Sequence, residues 1–122
     1  MNHQIIDDRT TTLSIDDFAA LRENLHEQLL FRREQLQQLS AAATTRTDAL
    51  LDRAASQIEV RVKLAASARM VLTDVEAALA RMDRGSYGTC HLCRRPVERD
   101  RLMIVPQARY CGRCQHVREA GR

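Results

Sequence analysis

Cys90-His91-Leu92-Cys93 and Cys111-Gly112-Arg113-Cys114 decide how this chain folds: two C-x-x-C pairs separated by seventeen residues. Two residues between cysteines let both sulfurs of one tight turn face a common centre, and two such turns supply the four thiolates of a closed tetrahedral zinc site. The predicted metal ligands are therefore Cys90, Cys93, Cys111 and Cys114, holding one structural Zn²⁺. A catalytic zinc needs an open coordination position, and four thiolates leave none. A redox C-x-x-C would sit at the strand-to-helix junction of a βαβ unit, and the sequence has no such unit. His91 and His116 lie close to the pairs, but with four cysteines at hand each is expected to face solvent.

Upstream, Gly85 closes a long helical pattern and Ser86-Tyr87-Gly88 turns the chain into the first pair. Leu51, Ile58, Ala65, Leu72 and Leu79 recur every seven residues, with Ala54, Ala68, Val75 and Met82 three positions after four of them. That repeat predicts one long helix from Asp48 to about Arg84, with Arg61 in the remaining slot turned outward. An earlier stripe, Phe18, Leu21, Leu25, Leu29, Leu36 and Leu39, predicts a partner helix capped at Ser14, with Asp16 and Asp17 in its first turn. Ser40-Ala41-Ala42-Ala43-Thr44-Thr45-Arg46-Thr47 interrupts the stripe and reads as the turn of an antiparallel hairpin, Thr47 capping the second helix. Downstream of the first cysteine pair, Arg101-Leu102-Met103-Ile104-Val105 reads as a short strand ending at Pro106, as in the hairpin of a zinc ribbon. Gln115 to Ala120 reads as a brief terminal helix.

The predicted fold class is mainly α: a long antiparallel helical hairpin, or coiled coil, with a small C-terminal four-cysteine zinc finger and a short terminal helix. Its parts are an irregular segment 1–13, the hairpin 14–84 with its tip near 40–54, and the finger module 85–122. Composition agrees, since aromatics make up 3% of 122 residues and Trp is absent, too little for a large globular core. A module of this size needs the metal to fold.

Charge is unevenly spread. Residues 1–83 carry ten Arg or Lys against thirteen Asp or Glu, and residues 84–122 carry nine against three. The excess suggests a basic contact surface of Arg94, Arg95, Arg99, Arg101, Arg109 and Arg113, or simple compensation of the zinc-thiolate charge. No apolar run spans a membrane and no signal sequence opens the chain, so a cytoplasmic protein is expected. No nucleophile–base pair, phosphate-cradling glycine loop or convincing carboxylate pair can be assembled, and no enzymatic activity is expected.

The run Arg84-Gly85-Ser86-Tyr87-Gly88-Thr89-Cys90, then Cys93, Pro106 and Cys111-Gly112-Arg113-Cys114 behind a hairpin with aspartates near its tip, resembles the TraR/DksA family of bacterial RNA polymerase regulators. That resemblance is strongest over residues 84–114. It implies a bacterial transcription regulator that inserts its coiled-coil tip into the polymerase secondary channel and modulates initiation without itself touching DNA. The family's tip motif is D-x-x-D-x-A. Asp52-Arg53-Ala54 matches its second half, Ala49 stands where the first Asp belongs, and Asp48 lies one position early, rotated by about 100° on a helix. The resemblance thus assigns Asp52 and Ala54, with Asp48 auxiliary, to a polymerase-modulating tip. Some family members respond to the alarmone ppGpp, but a tail of eight residues after Cys114 leaves little surface for such a site, and none is predicted. The expected partner is RNA polymerase, met by a monomer. The rival readings are a zinc-ribbon nucleic-acid binder, whose arginines meet phosphates, and a structural adaptor with an inactive tip.

Overall fold

The computed structural model of this protein describes residues 13–45 and 54–121. Helix α1 spans Ile15–Thr45 and α2 spans Ala54–Arg84, each of 31 residues. Two short helices follow: α3, Arg99–Ile104, and α4, Gly112–Ala120.

The start of α1 is written in its first turn. The Ser14 hydroxyl accepts the Asp17 N–H at 2.9 Å, and the Asp17 carboxylate accepts the Ser14 N–H at 3.1 Å. Two backbone donors that a helix N-terminus leaves without partners are thereby satisfied reciprocally. α1 then runs through Ser40 to Thr45, where the sequence suggested a turn. Alanine is the strongest helix former and this stretch holds neither Gly nor Pro, so nothing in it stops the helix. Thr47, Asp48, Leu51 and Asp52 lie outside the described residues.

α1 and α2 run antiparallel, because Arg22 reaches Asp83 at 3.2 Å while Arg33 reaches Glu76 at 3.4 Å. Their shared seam packs Leu21 and Leu25 with Val75, Ala78 and Met82, and Ala68 is buried further along it. One set of heptad positions, Ala68, Val75 and Met82, is fully buried, while Ala65, Leu72 and Leu79 are half-buried and Ile58 remains 50% exposed. Three buried positions, one per heptad, are the imprint of a two-helix seam.

Gly85 ends α2. Its φ of +80° is left-handed, its N–H reaches the Met82 carbonyl at 3.3 Å, and the Ser86 N–H reaches the Arg81 carbonyl at 2.9 Å. This double bond pattern is the Schellman motif, in which glycine supplies the left-handed turn without steric cost.

The expected strand at Arg101–Val105 is instead helical. Leu102 N–H bonds the Glu98 carbonyl at 3.1 Å and Val105 N–H the Arg101 carbonyl at 2.8 Å, both four residues back. Leu102 is wholly buried while Ile104, two positions on, is 80% exposed. A strand would place both on one face; a helical turn separates them by about 200°. Among the described residues the one strand-like pairing is an isolated antiparallel bridge between Thr89 and Pro96, so the finger lacks the ribbon hairpin. No helix among the described residues is long and apolar enough to cross a membrane.

The core is continuous across rod and finger. Leu21, Leu25, Val75, Ala78 and Met82 from the hairpin pack in one cluster with Cys90, Val97, Leu102 and Cys111. The finger thus acts as a third layer over the hairpin base, where two helices alone would leave an open side.

Candidate metal centre

The Cys90 loop is folded back on itself by the backbone. Cys90 N–H reaches the Arg95 carbonyl at 2.8 Å, Arg94 N–H the Cys90 carbonyl at 3.1 Å, and Val97 N–H the Gly88 carbonyl at 2.7 Å. Gly88 has a φ of +88°, and Arg94 a φ of +65°, a left-handed conformation at a side-chain-bearing residue. The second pair is set by α4. Cys111 stands at its N-cap, its sulfur accepting the Cys114 N–H at 3.4 Å, and the His91 N–H joins the two knuckles through the Arg109 carbonyl at 2.9 Å.

The four cysteine sulfurs lie within 4.8 Å of one another, and Cys93 Sγ is 3.8 Å from Cys111 Sγ. Four sulfurs bonded tetrahedrally to zinc at about 2.3 Å sit about 3.8 Å apart, so the sulfurs fit this ion. At Cys90, burial opposes ionisation, but backbone N–H groups of Cys93, Cys111 and Leu92 together outweigh it and draw the thiol down to about 6. Burial, reinforced by the neighbouring sulfurs, pushes Cys114 up to about 12. The opposed shifts show Cys90 favouring the thiolate and Cys114 the thiol, so the two do not ionise together without a cation. His91 and His116 are exposed and stand outside the ligand group.

Residues 85–120 match the family model described as the prokaryotic dksA/traR C4-type zinc finger. This finger belongs to the DksA/TraR family. Over 43 residues the chain is 35% identical to an uncharacterized protein of Aquifex aeolicus strain VF5, a match covering 35% of this chain and 30% of that relative's length. Beyond the DksA/TraR finger, the likeness extends to architecture. The transcription factor DksA2 from Pseudomonas aeruginosa superposes with a TM-score of 0.73 over 88% of this chain and 86% of that one, at 22% identity. The family resemblance, the mainly α fold and the single structural zinc are thus borne out.

Contacts that tie the DksA/TraR finger to the rod were not visible in the sequence. Asp17 grips Arg99 in a two-pronged fork, Oδ2 to Nε at 2.8 Å and Oδ1 to Nη2 at 2.9 Å, across 82 residues of chain. The Arg99 guanidinium, aided by the Ser14 N–H, holds the Asp17 carboxyl far below the usual carboxylate range. Arg109 Nη2 meets Asp74 of α2 at 2.8 Å. The Tyr87 ring stands edge-on to Phe18, and its hydroxyl, pushed up to about 12 by burial, donates to the Pro106 carbonyl at 2.7 Å.

Those bonds redistribute the six arginines first grouped as a basic contact surface. Arg99 and Arg109 are spent on Asp17 and Asp74, and Arg101 Nε donates to the Tyr110 carbonyl at 2.9 Å. Arg94, Arg95 and Arg113 are exposed. Of the tip residues, Asp48 and Asp52 lie outside the described residues, and Ala54 is the first residue of α2.

Proposed function

We propose that this protein is a transcription regulator that binds RNA polymerase and reaches into its secondary channel with the hairpin tip to modulate initiation. The observation that carries this reading is the shared architecture: a long helical pair, clamped at its base by a DksA/TraR finger, superposes on a transcription factor over most of both chains. Each helix of 31 residues is about 46 Å long, slender enough to enter a channel and long enough to reach well inside. The finger, whose zinc has no open position and no neighbouring acid–base pair, serves as support and rim contact rather than as a catalyst.

Asp52 acts at the tip through its charge, Ala54 leaves room for close approach, and Asp48 stands in for the aspartate missing at residue 49. No alarmone is required in this reading, and a monomer suffices.

The test is in two stages. Tagged protein should retain polymerase subunits from a bacterial lysate. In transcription from purified components, Asp52→Asn should abolish most of the regulatory effect while retaining polymerase binding. Equal regulation by wild type and Asp52→Asn, or failure to retain polymerase, refutes the proposal.

The rival nucleic-acid reading loses support, because three of its six arginines are engaged inside the molecule.

A further inference from the structure

A second concave site lies beside the metal centre. Arg81, Arg84, Ser86, Thr89, His91 and Arg94 line a cleft of about 340 Å³ between the end of α2 and the first knuckle. Its lining holds three arginines and two hydroxyl-bearing residues and, among the described residues, no Asp or Glu.

Arg81 is the telling residue. It is 5% exposed, and its one side-chain hydrogen bond among the described residues runs from Nη2 to the Ala108 carbonyl at 3.5 Å, the outer limit for such a bond. Arg22, Arg33, Arg99 and Arg109 each have a carboxylate within ion-pair distance; among the described residues Arg81 has none. Burial first, and then the charge of Arg109, weaken its hold on its proton; Tyr87 opposes them, and Arg84 and Asp74 act in opposite directions behind it. A buried cation without a paired anion is costly.

Two plainer explanations fall short. Basic residues favour the last turn of a helix, where Arg81 and Arg84 sit, but the carbonyls of Arg81 and Met82 are already capped by the Gly85 turn. The zinc-thiolate cluster carries excess negative charge, yet long-range compensation does not require an open cleft or a buried guanidinium. Arg94 adds an independent sign. It holds a left-handed backbone where glycine would be unstrained, and it is one of the residues that line the cleft. Such strain is retained where the side chain has a use.

We propose that this cleft binds the phosphate group of a small phosphorylated ligand, with Arg81, Arg84 and Arg94 meeting its charge and Ser86 and Thr89 donating to its oxygens. A phosphate monoester suits it better than a carboxylate, because a near-dianion with three acceptor oxygens answers several convergent donors. The site stands on its own and does not depend on the polymerase reading.

The test uses the zinc-loaded full chain, titrated with phenyl phosphate and with inorganic phosphate, and followed by amide and arginine Nε–Hε resonances. Saturable shifts are expected at Ser86, Thr89 and Arg81 Nε. Arg84→Ala and Arg94→Gly should each weaken binding about tenfold, the worth of one charge-assisted contact, while Arg113→Ala leaves it unchanged. Arg94→Gly relieves the strained turn as it removes the guanidinium, so its loss of affinity cannot come from unfolding. Zinc content, measured for every variant, excludes loss of metal. Shifts that never saturate, equal weakening by Arg113→Ala, or preference for a short DNA duplex with steep salt dependence would each overturn the assignment.

Discussion

The two ends of the described rod use the same heptad pattern and reach different outcomes. Near the finger, Leu25, Val75 and Ala78 are wholly enclosed and Leu21 and Met82 nearly so. Towards the other end, Leu36 and Leu39 are only half-buried, and Ile58, Val62 and Leu64 are between 45% and 60% exposed. Heptad spacing brings two helices together, but two helices cannot enclose their own seam. Away from the finger the one fully buried seam residue among those described is the small Ala68; larger seam side chains are fully buried where Val97, Leu102 and the cysteines close the third side. Most of the packing energy is therefore concentrated at the metal end, and the finger governs the rod more than its size suggests.

Removing the metal is the most severe way to break that contrast. Chelation, or Cys90→Ser, should cost several kcal/mol, the scale on which structural zinc drives folding. Circular dichroism should lose more helical signal than α3 and α4 together contribute, because the hairpin base shares their core. A loss confined to the signal of those two helices would show that the rod stands by itself.

Next in size, Leu25→Ala should destabilise by about 3 kcal/mol, as cavity-forming changes at enclosed leucines do. Leu36→Ala, on the open-sided stretch, should cost about 1 kcal/mol. Urea unfolding of both variants would erase the distinction between the ends if the two costs matched.

Asp17→Asn probes how finger and rod are joined. The folded carboxyl titrates well below its unfolded value, so the fork's stabilisation is fully present above the unfolded pKa and lost only as pH falls through the lower, folded one. The variant's deficit in urea unfolding should therefore be the same at pH 6, 7 and 8. A deficit that shrank across that window would mean a group other than Asp17 sets it.

The smallest effect has the opposite sign. Arg94→Gly should stabilise the zinc-loaded protein by about 1 kcal/mol, since the left-handed backbone at φ +65° penalises any residue with a Cβ. Thermal unfolding no higher than wild type would argue that the turn carries no strain.

Much of this was legible in the chain because it is local. The cysteine spacing, the cap at Ser14 and the stop at Gly85 all rest on residues within a few positions of one another. Two readings failed for local reasons as well. Leu102-Met103-Ile104-Val105 is apolar throughout, and an unbroken apolar run carries no period by which to separate strand from helix. Ser40 to Thr45 looked like a turn because its residues are small, but small residues without Gly or Pro do not end a helix. What the sequence could not disclose is tertiary: the Asp17–Arg99 fork, the Arg109–Asp74 pair and the burial of Arg81 join residues that no periodicity relates. Three arginines that looked like a contact surface proved to be fastenings.

The fork between Asp17 and Arg99 also sets an angle. It is double-pronged and placed at the fulcrum of a lever about 46 Å long, so a tilt of about 5° there would swing the opposite extremity by about 4 Å. Aim, on this view, is decided at the handle.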